Sequence, residues 1–202
     1  MQRIDVVRVL SSFFSAEDLC ISSLGALRQD WWNLTAQAGN TFYQAILGSV
    51  TTTALGLALA LPHRRILALE TDGSVLMNTG ALCTLGNQRP GNMTVVVLDN
   101  ELYESIGGAP SLTSQNTDLA KMASGAGCIN ATTVRDAESF RNEFQKLWSD
   151  KEMGYLVAKI GAGKHPWPAD KLKSTDGIED KYNFMRYIEK LENIVVHPGS
   201  QR

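Results

Sequence analysis

Hydrophobic positions along the chain switch repeatedly between two periods. Ile4, Val7, Leu10 and Phe14 recur at near-helical spacing and predict an opening helix. Residues 18–22 form a short apolar run that reads as a strand ending in Ser23-Leu24-Gly25. Residues 41–46 read as a strand, followed by Gly48 and an Ala- and Leu-rich helix that Pro62 stops. Residues 66–69 predict a strand and residues 74–85 a helix. Residues 93–98, with Val95-Val96-Val97, are the clearest buried strand. Residues 117–124 suit a helix and 129–134 a strand. Ala137, Phe140, Phe144 and Leu147 mark a helix capped by Asp136. Residues 155–160 predict a last strand.

Strands separated by helices imply right-handed crossovers. The expected fold class is therefore α/β: one open, mostly parallel sheet with helices on both faces. We expect one domain over residues 1–160. The tail, 161–202, begins with the Gly- and Pro-rich loop 161–168 and continues into a short amphipathic helix marked by Tyr182, Met185, Ile188 and Leu191. That tail packs either on the domain or on a partner. With 202 residues, 44% of them apolar, the chain has enough for one core, and disorder is excluded over most of its length. A net charge of −2 gives no basic field for nucleic acid or an anionic membrane. The longest dense apolar run, 54–61, is too short to span a bilayer, and Asp5 interrupts any leader-like start. Cys20, Cys83 and Cys128 are scattered, which fits a reducing, cytoplasmic setting. Cys83 reads as a small buried residue.

In open α/β sheets the ligand lies beyond the carboxyl ends of the strands. Two such ends carry distinctive chemistry. The strand 66–69 runs into Asp72-Gly73-Ser74, and the strand 93–98 runs into Asp99-Asn100. This holds Asp72 and Asn100 at one edge of the sheet. A carboxylate and an amide oxygen suit Mg²⁺, which takes few protein ligands and completes its shell with phosphate oxygens and water. Gly73 and Ser74 open a helix whose first N–H groups favour phosphate. The arrangement reads as a cradle for a metal diphosphate.

Asp72-Gly73, 26 intervening residues and Asn100 resemble the diphosphate-binding motif of thiamine diphosphate enzymes. Leu47-Gly48-Ser49, the 54–60 helix, Asp72-Gly73-Ser74-Val75-Leu76-Met77-Asn78, Leu98-Asp99-Asn100 and the 104–110 tract are similar to tracts of the sulfopyruvate and phosphonopyruvate decarboxylases. The resemblance covers roughly residues 4–140 and is nearest the cofactor-binding subunit of the two-chain sulfopyruvate decarboxylases. It implies that Asp72 and Asn100 ligate Mg²⁺ by side chain and Leu102 by its carbonyl. It further implies that Gly73 and Ser74 bind the diphosphate, that the Gly48 carbonyl meets the aminopyrimidine, and that Val50 supports the ring. Ser49 and Tyr103 complete the implied cofactor contacts. The chain departs from the family at Thr71 (usually Gly), Asp99 (usually Asn), Val50-Thr51 (usually Met-Gly) and Ala109 (Gln in the phosphonopyruvate branch).

The family's ylide-forming Glu lies in a pyrimidine-binding domain. About 45 residues precede Gly48, too few for such a domain. The resemblance thus implies a separate pyrimidine-binding (PYR-type) subunit, a homodimer alone and a two-fold heteromer in the cell. The expected activity is decarboxylation of a small anionic 2-oxo acid, sulfopyruvate- or phosphonopyruvate-like, with thiamine diphosphate and Mg²⁺ as cofactors. A carboligase, an oxidative 2-oxo acid subunit or a non-catalytic cofactor-binding partner are the alternatives; three isolated Cys argue against iron–sulfur clusters on this chain.

Other residues carry plainer readings. Arg28 is the one Arg clearly near the ligand edge, so the clamp for the substrate's anionic group falls mainly to the partner. Asp99 either caps the next turn or stands behind the metal, and Glu104 either faces the pocket or is a solvated loop carboxylate. Trp31 and Trp32 read as core or interface anchors. His63 reads as a surface residue, while His165 and His197 lie in the tail.

Overall fold

The computed structural model describes residues 1–35, 39–172 and 176–196. Its elements follow in chain order α1 (Arg3–Phe13), β1 (Leu19–Ser22), α2 (Ala26–Leu34), β2 (Thr41–Tyr43), α3 (Val50–Ala60), β3 (Ile66–Thr71), α4 (Asp72–Met77), α5 (Ala81–Gln88), β4 (Met93–Asp99), β5 (Leu102–Tyr103), β6 (Ala109–Pro110), α6 (Leu119–Gly125), β7 (Asn130–Val134), α7 (Ala137–Ser149), β8 (Gly154–Lys159) and α8 (Gly177–Glu192). Six strands form one sheet in the order β2-β1-β3-β4-β8-β7, and every pairing is parallel. β5 and β6 make a small antiparallel hairpin in the excursion that leaves β4.

The period-2 alternation of the strands divides the core in two. Leu19, Ile21, Ile66, Ala68, Val95, Val97, Tyr155 and Val157 face one side, where α3, α5, α6 and α8 cover them with Ala54, Leu85, Leu119, Ala123, Phe184 and Ile188. Cys20, Leu67, Leu69, Val96, Leu98, Leu156 and Ala158 face the other side, where α1, α2 and α7 supply Val7, Leu10, Trp31, Phe140 and Phe144. Both faces are covered, as a parallel sheet requires.

Four local readings change. Residues 26–34, unassigned by pattern, form α2, because Leu27 and Trp31 on successive turns bury against the sheet. The strand at 41–46 stops at Tyr43; Gln44 turns away, its side chain donating to Thr53 Oγ1 at 3.0 Å. The helix at 74–85 is two helices. Asn78 leaves the helical path and donates to the Gly48 carbonyl at 3.0 Å, and Gly80 starts α5. Cys83 is exposed, not buried, on the outer side of α5.

The tail lies on the domain. Phe184 of α8 stacks on Phe42 of β2 with centroids 6.0 Å apart. Asp180 of α8 meets Arg28 of α2 at 2.8 Å, with the two side chains only 6% and 1% exposed. Arg28 also lies 4.9 Å over the Tyr43 ring. His197 lies outside the described residues.

A buried ion pair of this kind is costly to break and inexpensive to replace whole. We predict that Arg28→Leu destabilises the chain by about 3 kcal/mol, whereas Arg28→Leu with Asp180→Leu recovers most of the loss. Urea unfolding of the two single variants and the double variant checks this through the coupling energy.

Candidate cofactor and metal site

The strand order reverses between β1 and β3, the switch point at whose carboxyl edge ligands of open α/β sheets bind. Asp72 leaves the end of β3 beside it. Thr71 pairs in register with Leu98, so Asp72 and Asn100 emerge together from adjacent strands. Gly48, in the loop entering α3, joins them: its N–H donates to Ser74 Oγ at 3.0 Å. Gly48 has φ +80°, and a Cβ there would sit 2.8 Å from Asn78 Cβ, so only glycine fits. Gly73 packs beneath the Tyr103 ring, which a Cβ would meet at 3.1 Å.

Asp72 is buried and its carboxylate is held firmly. Ser111 donates to Oδ2 at 2.6 Å, and Thr113 Oγ1 lies 3.3 Å away. Burial pushes the Asp72 carboxyl above the usual carboxylate range; the Ser111 hydroxyl draws it back and the Asp99 charge raises it further. Asn100 Oδ1 accepts from the Leu102 N–H at 3.2 Å, and its Nδ2 lies 3.4 Å from Glu104. Asp72, Asn100 and Leu102 offer carboxylate, amide and carbonyl oxygens, a hard donor set suited to Mg²⁺. Among the described residues no group of three His, Cys, Asp or Glu could hold a metal, so a cation here needs further oxygens from a ligand. The donor set is of the kind that leaves room for the oxygens of a diphosphate.

Three of the departures from the family pattern, Thr71, Thr51 and Asp99, have local partners. Thr71 caps α4 by accepting from the Ser74 N–H at 3.4 Å, which directs that N–H toward its own helix cap. Thr51 uses both its N–H and its hydroxyl to satisfy Glu70 Oε1, at 3.1 and 3.0 Å. Glu70 was missed from sequence; burial raises its carboxyl, and the Ser74 and Thr51 hydrogen bonds oppose the shift. Asp99 caps the next turn, the first of its two readings, and also neighbours Asp72. It accepts from the Glu101 N–H in a turn at 3.0 Å, and it stands behind Asp72 through the shared contact with Thr113. Its other oxygen meets Lys159 at 2.8 Å.

Several readings are corrected. Val50 is fully buried among Leu19, Ile21 and Ala54, so it offers no surface to a cofactor ring and belongs to the core. Arg28, read as the Arg near the ligand edge, is paired with Asp180 of α8. Glu104 is neither a pocket acid nor a free surface group: it accepts from the Gly163 N–H at 2.7 Å and lies 3.7 Å from Arg3, tying the tail loop to the site edge. Ser49 donates to the Ile46 carbonyl at 2.6 Å, which shapes the loop before α3. Trp31 is core, and Trp32 lies half-buried with its ring 6.4 Å from Tyr43. His63 is on the surface, 2.7 Å from Glu192, and His165 rests against Trp167 at 4.6 Å. Ser111, Thr113 and Lys159 also went unread. The hydroxyl-rich run 111–114 and a lone cation ending the apolar strand β8 are the only signals they leave in the sequence.

Comparison with known proteins places the chain in a family. Residues 26–158 match the family described as thiamine pyrophosphate enzyme, C-terminal TPP binding domain. Sulfopyruvate decarboxylase subunit beta of Methanothermobacter thermautotrophicus is 32% identical over 168 residues, covering 82% of this chain and 86% of that protein. The subunit of the same name from Methanocaldococcus jannaschii is 28% identical, covering 78% of this chain and 83% of that protein. Phosphonopyruvate decarboxylase of Streptomyces viridochromogenes is 35% identical over 57% of this chain, which spans 29% of its length. Among solved structures, benzoylformate decarboxylase from Polynucleobacter necessarius superposes with a TM-score of 0.67 at 17% identity over 80% of this chain. The chain spans about a third (33%) of that protein, and the likeness speaks to the fold. With the matched region containing Gly48, Asp72 and Asn100, the chain belongs to the thiamine pyrophosphate enzyme family as a C-terminal TPP-binding domain related to the sulfopyruvate decarboxylase beta subunits.

Proposed function

We propose that this chain is the cofactor-binding subunit of a thiamine diphosphate- and Mg²⁺-dependent 2-oxo acid decarboxylase. The observation that carries the reading is the juxtaposition of Asp72 and Asn100 at the ends of adjacent parallel strands, in a chain of this family. In this reading Asp72, Asn100 and the Leu102 carbonyl hold Mg²⁺, while Gly73 and Ser74 receive the diphosphate. Gly48, Ser49 and Tyr103 border the organic part. When bound, thiamine diphosphate supplies the nucleophilic carbon and the electron sink for loss of CO₂. The chain's own residues bind, orient and exclude water. Ser111 and Thr113 hold the Asp72 carboxylate in place, and the Tyr103 ring screens Gly73.

The substrate in this reading is a small 2-oxo acid with a second anionic group, the class named in the sulfopyruvate and phosphonopyruvate relatives. Ala109, in place of the Gln of the phosphonopyruvate branch, favours the sulfonate. A PYR-type subunit completes the active site and supplies the Glu. The relatives named as beta subunits support such a partner. So does the apolar rim of the carboxyl edge, where Ile46, Leu47, Met77, Ile106 and Leu112 are all more than half exposed. We propose a homodimer of the lone chain and a two-fold heteromer with the partner. Among the described residues no helix is long and apolar enough to cross a membrane; three free cysteines support a cytoplasmic setting.

Two outcomes are expected. Purified alone, the chain releases no CO₂ from sulfopyruvate, phosphonopyruvate or pyruvate; mixed with a PYR-type subunit, it turns over sulfopyruvate fastest. Turnover by the lone chain at a rate no partner alters would exclude the split active site. The second outcome follows from charge. Asp72 and Glu70 ionise above their unfolded values, so the stabilisation they give is complete below the ordinary carboxylate range and is lost as pH rises through their raised folded values. Asp72→Asn therefore raises the melting temperature of the ligand-free chain at neutral pH and flattens its pH dependence. The same change weakens Mg²⁺-dependent thiamine diphosphate binding by more than about 100-fold. Melting curves against pH and titration calorimetry read the two effects separately.

A further inference from the structure

The excursion between β4 and α6 carries Asn100 and Leu102 near its start and the two hydroxyls that hold Asp72 near its end. A loop of this length needs an anchor if those groups are to stay in register. Lys159, the last residue of β8, pairs in register with Asp99. Its ammonium reaches three points of the excursion. It lies 2.8 Å from Asp99 Oδ2 and 2.7 Å from Glu101 Oε1, and it donates to the Thr113 carbonyl at 3.3 Å. Glu101 sits at a left-handed turn, φ 62°, where its own N–H and carbonyl also fasten the loop, the first to Asp99 and the second to the Ser111 N–H at 2.9 Å.

Charge makes the same point. Asp99 and Asp72 are each 1% exposed and share the Thr113 hydroxyl. Two carboxylates this close and this buried need a compensating cation. Lys159 lies 2.8 Å from Asp99 as that cation, and its side chain is itself only 15% exposed. The Asp at position 99 and the Lys at position 159 therefore form one unit.

We propose that Lys159 is a positioning residue for the cofactor site: it neutralises Asp99 and clamps the 99–114 excursion, so that Asn100, Ser111 and Thr113 hold their places around Asp72. This inference rests on reading Asp72 and Asn100 as the metal-diphosphate ligands.

The test uses the full chain and two readouts, calorimetric binding of thiamine diphosphate with Mg²⁺ and amide hydrogen exchange of residues 100–114 without ligand. Lys159→Met is expected to weaken binding about tenfold or more and to speed exchange in the excursion, while amides of α1 and α7 keep their protection. Lys159→Arg, and separately Lys159→Met with Asp99→Asn, should recover most of both losses, the first by restoring a cation and the second by removing the uncompensated carboxylate. Recovery by the double variant is the result that a loss of general stability would not give. Wild-type binding and unchanged exchange in Lys159→Met would overturn the proposal. If the wild-type chain itself shows no Mg²⁺-dependent binding, the metal-diphosphate reading fails, and this role of Lys159 fails with it.

Discussion

Two buried carboxylates at the ends of neighbouring parallel strands set the terms for this structure. Asp72 follows β3 and Asp99 ends β4, each almost fully removed from water. A charge so placed is tolerated only when hydrogen bonds and a counter-charge answer it. Ser111 and Thr113 do so from one short run of the excursion, and Lys159 from the end of β8. The excursion beyond β4 folds back over the strand ends because that is where its hydroxyls and carbonyl find partners. The same contacts hold Asp72 beside Asn100 at the carboxyl edge of the sheet.

The rest of the fold keeps that edge in register. All six strands of the sheet run the same way, so every strand ends at the one carboxyl edge and every crossover starts from it. The two core layers hold the strands rigidly from both faces. α8 extends one layer over the short edge strand β2 through Phe184 and Phe42, and the Arg28–Asp180 pair fixes it to α2. The tail is thus part of the scaffold. Through Gly163 and Glu104 its connecting loop also touches the site edge.

The departures from the family pattern show how a site changes without being lost. Thr51 donates twice to Glu70 Oε1, Thr71 serves as a helix cap where a glycine is not sterically required, and Asp99 is answered by Lys159. Each replacement is matched by a neighbour in space, so reading positions one at a time makes them look like losses.

What was legible in the sequence was local. The short apolar runs 66–69 and 93–98, the 3.6-residue spacing of Phe140, Phe144 and Leu147, and the Asp136 cap all depend on neighbours within a turn or a pleat, and the structure contains them. So does the placement of Asp72 and Asn100, because strand ends in a parallel sheet share an edge by construction. The conversion of 74–85 into two helices, the burial of Val50, the capture of Arg28 by Asp180 and the pairing of residue 159 with residue 99 did not show in the pattern. Sequence alone determined the fold class, the ligand edge and the two metal-ligand candidates, since each follows from periodicity and residue chemistry over a few positions. Only the tertiary structure decided which side chains hold those ligands in place, because contacts such as Asp72 with Ser111 and Asp99 with Lys159 are set by strand register and by the path of a loop, and neither leaves a local trace.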